Sequence, residues 1–127
     1  MPLKVLLCDE VDRWKTPVLV LKRKYDTQVQ VVEKQHQALD LLAQRAYDVV
    51  VIEPFRDAHI FLKENPFLDI AKDAKRRRIP VVLATAFYER DLKKNGLVEG
   101  RDYDAYLGKP FDIKEFADVI KRVTSGK

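Results

Sequence analysis

A chain of 127 residues has room for one domain with a real core and little room for a second, so residues 1–127 are expected to form a single domain. Its 24 Lys and Arg against 20 Asp and Glu leave a net charge of +4, too mild among 35% charged residues to argue for nucleic acid. One cysteine, Cys8, excludes an internal disulfide, and the apolar run near the amino terminus is too short for a signal or membrane-spanning segment, which points to a reducing, cytoplasmic setting.

Leu3 to Cys8 is a short apolar run closed by Asp9 and Glu10, the pattern of a buried strand with an acidic end. Thr16-Pro17 then has the form of an N-cap followed by a proline in the first turn, predicting a short helix from there to about Lys24, with Pro17 not in its middle. Gln28 to Val32 predicts a second strand. Apolar residues at helical spacing (Ala38, Leu39, Leu41, Leu42) predict an amphipathic helix over about Gln35 to Arg45.

Asp48 to Glu53 is a third strand, β-branched from Val49 to Ile52 as suits burial on both faces, and it too ends in an acid. An irregular stretch, Pro54 to Glu64, follows. Asn65-Pro66 gives a second cap-and-proline signal, opening a helix whose buried stripe is Phe67, Ile70, Ala71 and Ala74. Val81 to Ala84 is a fourth strand with Thr85 at its end, and a helix of indistinct limits follows before Gly100. Ala105 to Leu107 is a short fifth strand, and Ile113, Phe116, Ala117, Ile120 and Val123 mark the face of a last helix.

Five alternations of strand and helix predict an α/β fold, a (βα)5 doubly wound parallel sheet with helices on both faces. In such a sheet ligands bind beyond the carboxyl ends of the strands. There the chain places Asp9, Glu10, Glu53, Thr85 and, beyond Gly108, Lys109-Pro110. Three close carboxylates repel one another unless a cation intervenes, and an all-oxygen set suits a hard ion such as Mg²⁺. Lys109 could supply part of that compensation without metal.

These segments, KVLLCDE, YDVVVIE, VVLATA and YLGKPF, together resemble the receiver domains of two-component response regulators, over nearly the whole chain and in the right order. The resemblance implies the flavodoxin-like strand order 2-1-3-4-5, a signalling module rather than an enzyme, and a metal site at Asp9 and Glu10 beside the acceptor position. It also implies that Thr85 contacts a phosphoryl oxygen, that Lys109 pairs with the acceptor carboxylate, that Tyr106 is the aromatic switch and that Lys109-Pro110 is cis. Partners would be a histidine kinase or a downstream output protein on the face of the fourth helix, fifth strand and fifth helix. A homodimer is compatible with this, with no membrane partner.

One position departs. The family's phosphorylated aspartate is replaced by Glu53, which makes the chain an atypical, pseudo-receiver candidate with weak Mg²⁺ binding at Asp9, Glu10 and Glu53. The added methylene displaces the carboxylate by about 1.5 Å. The next segment departs too, since Pro54 follows at once and Asp57 stands where the family commonly has proline.

Plainer readings stay open beside these. Asp9 and Glu10 could simply face helix N-termini, Glu53 and Lys109 could form a structural ion pair, Thr85 could be an ordinary strand-end residue and Tyr106 half-buried core. The run Lys75 to Arg78 complements a helix C-terminus and lacks interleaved aromatics, so nucleic acid is not expected as a direct partner. Trp14, His36 and His59 have no partners at metal-ligand spacing, and none of the four glycines forms a phosphate loop. The alternative function is a small Mg²⁺-dependent phosphoryl-transfer or phosphatase protein, with Glu53 as nucleophile.

Overall fold

The computed structural model describes residues 2–54 and 65–125. In chain order the elements are β1 (Leu3–Cys8), α1 (Val11–Tyr25), β2 (Thr27–Val32), α2 (Gln35–Gln44), β3 (Val49–Ile52), α3 (Pro66–Arg76), β4 (Val81–Thr85), α4 (Glu89–Lys94), β5 (Ala105–Gly108) and α5 (Ile113–Thr124). All strand pairs are parallel, in the order β2-β1-β3-β4-β5. The parallel sheet is the one expected from the alternation, and its flavodoxin-like order is the one the resemblance implied.

Side chains on a strand point alternately to the two faces, and here the alternation separates two cores. Leu6, Cys8, Val50, Ile52 and Leu83 pack under α2, α3 and α4, with Leu42, Ile70, Ala74 and Leu92 filling the gap. Val5, Leu7, Val49, Val51 and Val82 pack under α1 and α5, against Trp14, Leu21, Phe116 and Ile120. Val49 to Ile52 is buried throughout because β3 lies at the centre of the sheet with helices on both sides.

Helix α1 corrects the sequence reading. It begins at Val11, not beside Thr16, and Pro17 lies inside it. An interior proline costs a helix about 3 kcal/mol, because it removes one hydrogen bond and its ring presses on the preceding turn. Tertiary contacts offset that cost: the Trp14 ring stands 5.0 Å from Phe116 and 6.1 Å from Phe111, centroid to centroid. Its indole also donates to Asp9. Packing of a large aromatic residue, rather than local propensity, carries the helix back to the end of β1.

The Asn65-Pro66 signal holds as expected. The Asn65 side chain accepts from the Phe67 N–H at 2.9 Å with proline in the first turn of α3. Asp112 and Glu115 form a reciprocal capping box at the start of α5. Most of the irregular stretch after Pro54, including Asp57 and His59, lies outside the described residues. No described helix is long and apolar enough to cross a membrane.

At the amino ends of the strands, acids close the sheet. The Asp48 carboxylate accepts from the Lys4 N–H at 2.8 Å, and Asp104 accepts both from the Val81 N–H at 2.8 Å and from the Lys75 ammonium at 2.7 Å. Just after α3, Arg78 has φ 62°, a left-handed conformation usually given to glycine.

Candidate functional site

Register brings the carboxyl ends of four strands into line: Cys8 lies beside Ile52, and Thr85 beside Gly108. The chain continues the pairing one residue further. The Glu53 N–H donates to the Cys8 carbonyl at 3.0 Å, and the Lys109 N–H to the Thr85 carbonyl at 2.9 Å. Asp9, Glu53 and Lys109 are therefore carried to the same place by backbone geometry. Asp9 is only 2% exposed and Glu53 7%.

Two buried carboxylates side by side need compensation, and Lys109 provides it. Its ammonium donates to Asp9 Oδ2 at 2.8 Å and to Glu53 Oε1 at 3.3 Å. Asp9 is held further by the Glu10 N–H on Oδ1 at 2.7 Å and by the Trp14 indole on Oδ2 at 3.3 Å. Both Asp9 oxygens thus have donors. Thr85, fully buried at the end of β4, accepts from the Phe87 N–H at 3.3 Å.

Glu10 goes elsewhere. Its carboxylate pairs with the Arg13 guanidinium at 2.7 Å on the solvent side of α1. Among the described residues no three His, Cys, Asp or Glu side chains are arranged to hold a metal ion. Asp9 and Glu53 are brought together, Glu10 is not, and a cation entering between them would have to displace the Lys109 ammonium. These residues do not form a ready Mg²⁺ cage.

The expected switch residue, Tyr106, is half-buried against the α2–α4 core, and its hydroxyl donates to the Phe87 carbonyl in the loop after β4. Burial pushes the Tyr106 phenol above its ordinary range, with Glu89 and Glu53 adding to the effect. The Lys109-Pro110 peptide is cis, as the resemblance implied.

Two residues of the site escaped the sequence reading. Trp14 has no partner at metal-ligand spacing in the sequence, yet it braces Asp9 from five residues away. The usable signal was a lone tryptophan on the helix that follows an acidic strand end. Tyr103 is fully buried just before β5, and its hydroxyl donates to Glu89 at 2.8 Å, tying α4 to the sheet. Burial, then the neighbouring Glu89, raises its phenol well above the ordinary value of 10.0.

No family model matches the chain, and no curated protein is a significant relative. Solved structures do match along its length. A response regulator from Thermotoga maritima superposes with a TM-score of 0.77 at 18% identity, covering 98% of this chain and 99% of that one. The receiver domain of a Francisella response regulator gives 0.74 at 21% identity, covering 99% and 98% of the two chains. The receiver domain of a sensor histidine kinase from Pseudomonas aeruginosa, which has a magnesium ion in its active-site cleft, gives 0.74 at 19% identity over 98% of this chain and 99% of that one. The five parallel strands, their order and their flanking helices give this chain the fold of the response-regulator receiver domains.

Proposed function

We propose that the chain is an atypical receiver of two-component-type signal transduction, acting by protein contact and not by phosphorylation or as an enzyme. The observation that carries this reading is the Lys109 ammonium held between Asp9 and Glu53, with glutamate where a receiver would need its acceptor aspartate. A carboxylate displaced by about one bond length is badly placed for in-line attack, a change that can cost about a hundredfold in rate. Glu53 instead supplies a permanent negative charge against Lys109, smaller than the roughly −1.5 to −2 of a phosphate.

The contact face is formed by α4, β5 and α5 around Tyr106, and its partner is a histidine kinase or an output protein. Support comes from the exposed aromatic pair beside Tyr106: Phe87 is 45% and Tyr88 64% exposed, in the loop tied to Tyr106. Exposed aromatic surface of this kind favours protein contact. A second copy of the chain is a further partner this face admits. The setting is the cytoplasm, and Mg²⁺ binds weakly, because the ion must compete with Lys109 for Asp9.

Intact mass after incubation with acetyl phosphate and Mg²⁺ tests the reading. The chain should gain no phosphoryl group, while Glu53→Asp should gain one if Asp9, Thr85 and Lys109 are placed as in a working receiver. A phosphoryl adduct on Glu53 in the parent chain would overturn the proposal. Steady release of phosphate from the donor would favour a Mg²⁺-dependent phosphatase with Glu53 as nucleophile.

A further inference from the structure

The acidic cleft continues into a pocket of 440 Å³ between the first half of α1 and the segment joining β5 to α5. Its walls are Trp14, Pro17, Phe111, Ile113 and Phe116, and Asp9, Arg13 and Lys109 bring polar groups to it. A space of this volume holds a small organic molecule, and the wall is of the apolar, aromatic kind that such molecules fill. Trp14 and Phe111 are tilted at 42° with centroids 6.1 Å apart, so a planar ring placed against them meets both an aromatic face and an aromatic edge.

The polar groups decide what the ring must carry. Lys109 has three ammonium donors, of which Asp9 and Glu53 take two. Arg13 commits its Nε to Glu10, and no described acceptor takes its terminal nitrogens. The pocket therefore presents unused donors. It also presents acceptors, in the carboxylates of Asp9 and Asp112. Charge restricts the choice further: Asp9 and Asp112 of the lining, with Glu53 adjoining Lys109, outnumber Lys109 and Arg13 by one, which opposes a carboxylate or phosphate. A ligand ammonium would crowd Lys109 and could not accept from it.

We propose that this pocket binds a small uncharged aromatic molecule carrying a carboxamide or similar acceptor-donor group, with its ring against Trp14 and Phe111 and its carbonyl accepting from Lys109 or Arg13. Such a ligand touches the lysine that compensates Asp9 and Glu53, so its binding is felt in the cleft. The inference rests on the pocket and its donors, independently of whether Glu53 is phosphorylated.

Benzamide, benzoate and benzylammonium, three probes of nearly one shape and different charge, separate the chemistries. Each is titrated into the ¹⁵N-labelled full chain while the indole N–H of Trp14, the chain's one tryptophan, and the amides of Phe111, Ile113 and Phe116 are followed by NMR. Benzamide should give saturable shifts at these positions with a dissociation constant on the order of millimolar, as befits so small a ligand. The two charged probes should bind about tenfold more weakly, a difference of about 1.4 kcal/mol. Phe111→Ala, which removes part of the wall, and Ala86→Leu, which narrows the pocket from its exposed rim, should each weaken benzamide about tenfold. Absence of saturable shifts with benzamide, equal or tighter binding of either charged probe, or unchanged affinity in both variants would overturn the proposal.

Discussion

The two ends of the sheet use acids in opposite ways. At the amino end, Asp48 and Asp104 each take a backbone N–H of a neighbouring strand, and Asp104 adds a partly exposed ion pair with Lys75. Each carboxylate there takes a backbone N–H of its own and finishes a strand. At the carboxyl end, Asp9 and Glu53 share one ammonium that arrives from 100 and 56 residues away along the chain. Carboxylates at that end are set against each other. A carboxylate that takes the N–H of a neighbouring strand is structural, whereas two buried ones that share one cation from a distant part of the chain form a site whose charge balance can be disturbed.

The contrast is broken most severely by removing the shared cation. Lys109→Met takes from the buried Asp9 and Glu53 the ammonium they share, and it should destabilise the chain by about 3 kcal/mol, measured by urea unfolding at neutral pH. The equivalent change at the other end, Asp104→Asn, removes the ion pair with Lys75 but leaves an oxygen for the Val81 N–H. It should cost about 1 kcal/mol by the same measurement. Equal losses in the two variants would erase the distinction between the ends.

Tyr103 sharpens the comparison from the edge of the site. Its phenol is raised in the fold, so folding favours the protonated form. The associated stability is fully present below the unfolded value of 10.0 and is lost as pH rises above it. Tyr103→Phe should lower stability at neutral pH by about 1 kcal/mol through the missing bond to Glu89, and should flatten the decline above pH 10. Thermal unfolding between pH 8 and about 11 checks both effects. The smallest effect belongs to the structural end: Arg78→Gly relieves a left-handed residue after α3 and should stabilise by about 0.5 kcal/mol.

Much of this was legible in the sequence because it depends on patterns the backbone alone imposes. The β-branched run Val49 to Ile52 marks a central strand, Asn65-Pro66 marks a helix start, and acids after two strands mark the carboxyl end of a parallel sheet. Pro17 misled for a physical reason: local propensity places a proline in the first turn, while Trp14 packing on Phe116 and bonding to Asp9 extends the helix past it. Glu10 misled because adjacency in sequence does not decide direction. Asp9 continues the line of β1 and turns inward, whereas Glu10 stands at the N-cap position of α1 without bonding its backbone and reaches out to Arg13. Tyr103 and Trp14 act through contacts between elements, which no spacing within one element reveals.

The dependence of Glu53 on Lys109 is the central claim, and a double-mutant cycle in urea unfolding tests it most directly. If Lys109 is the cation that makes a buried Glu53 tolerable, Glu53→Gln should rescue part of the loss caused by Lys109→Met. The double variant should then be more stable than Lys109→Met alone, with a coupling of about 1 kcal/mol or more. A double variant no more stable than Lys109→Met, with the two losses simply adding, would contradict the account.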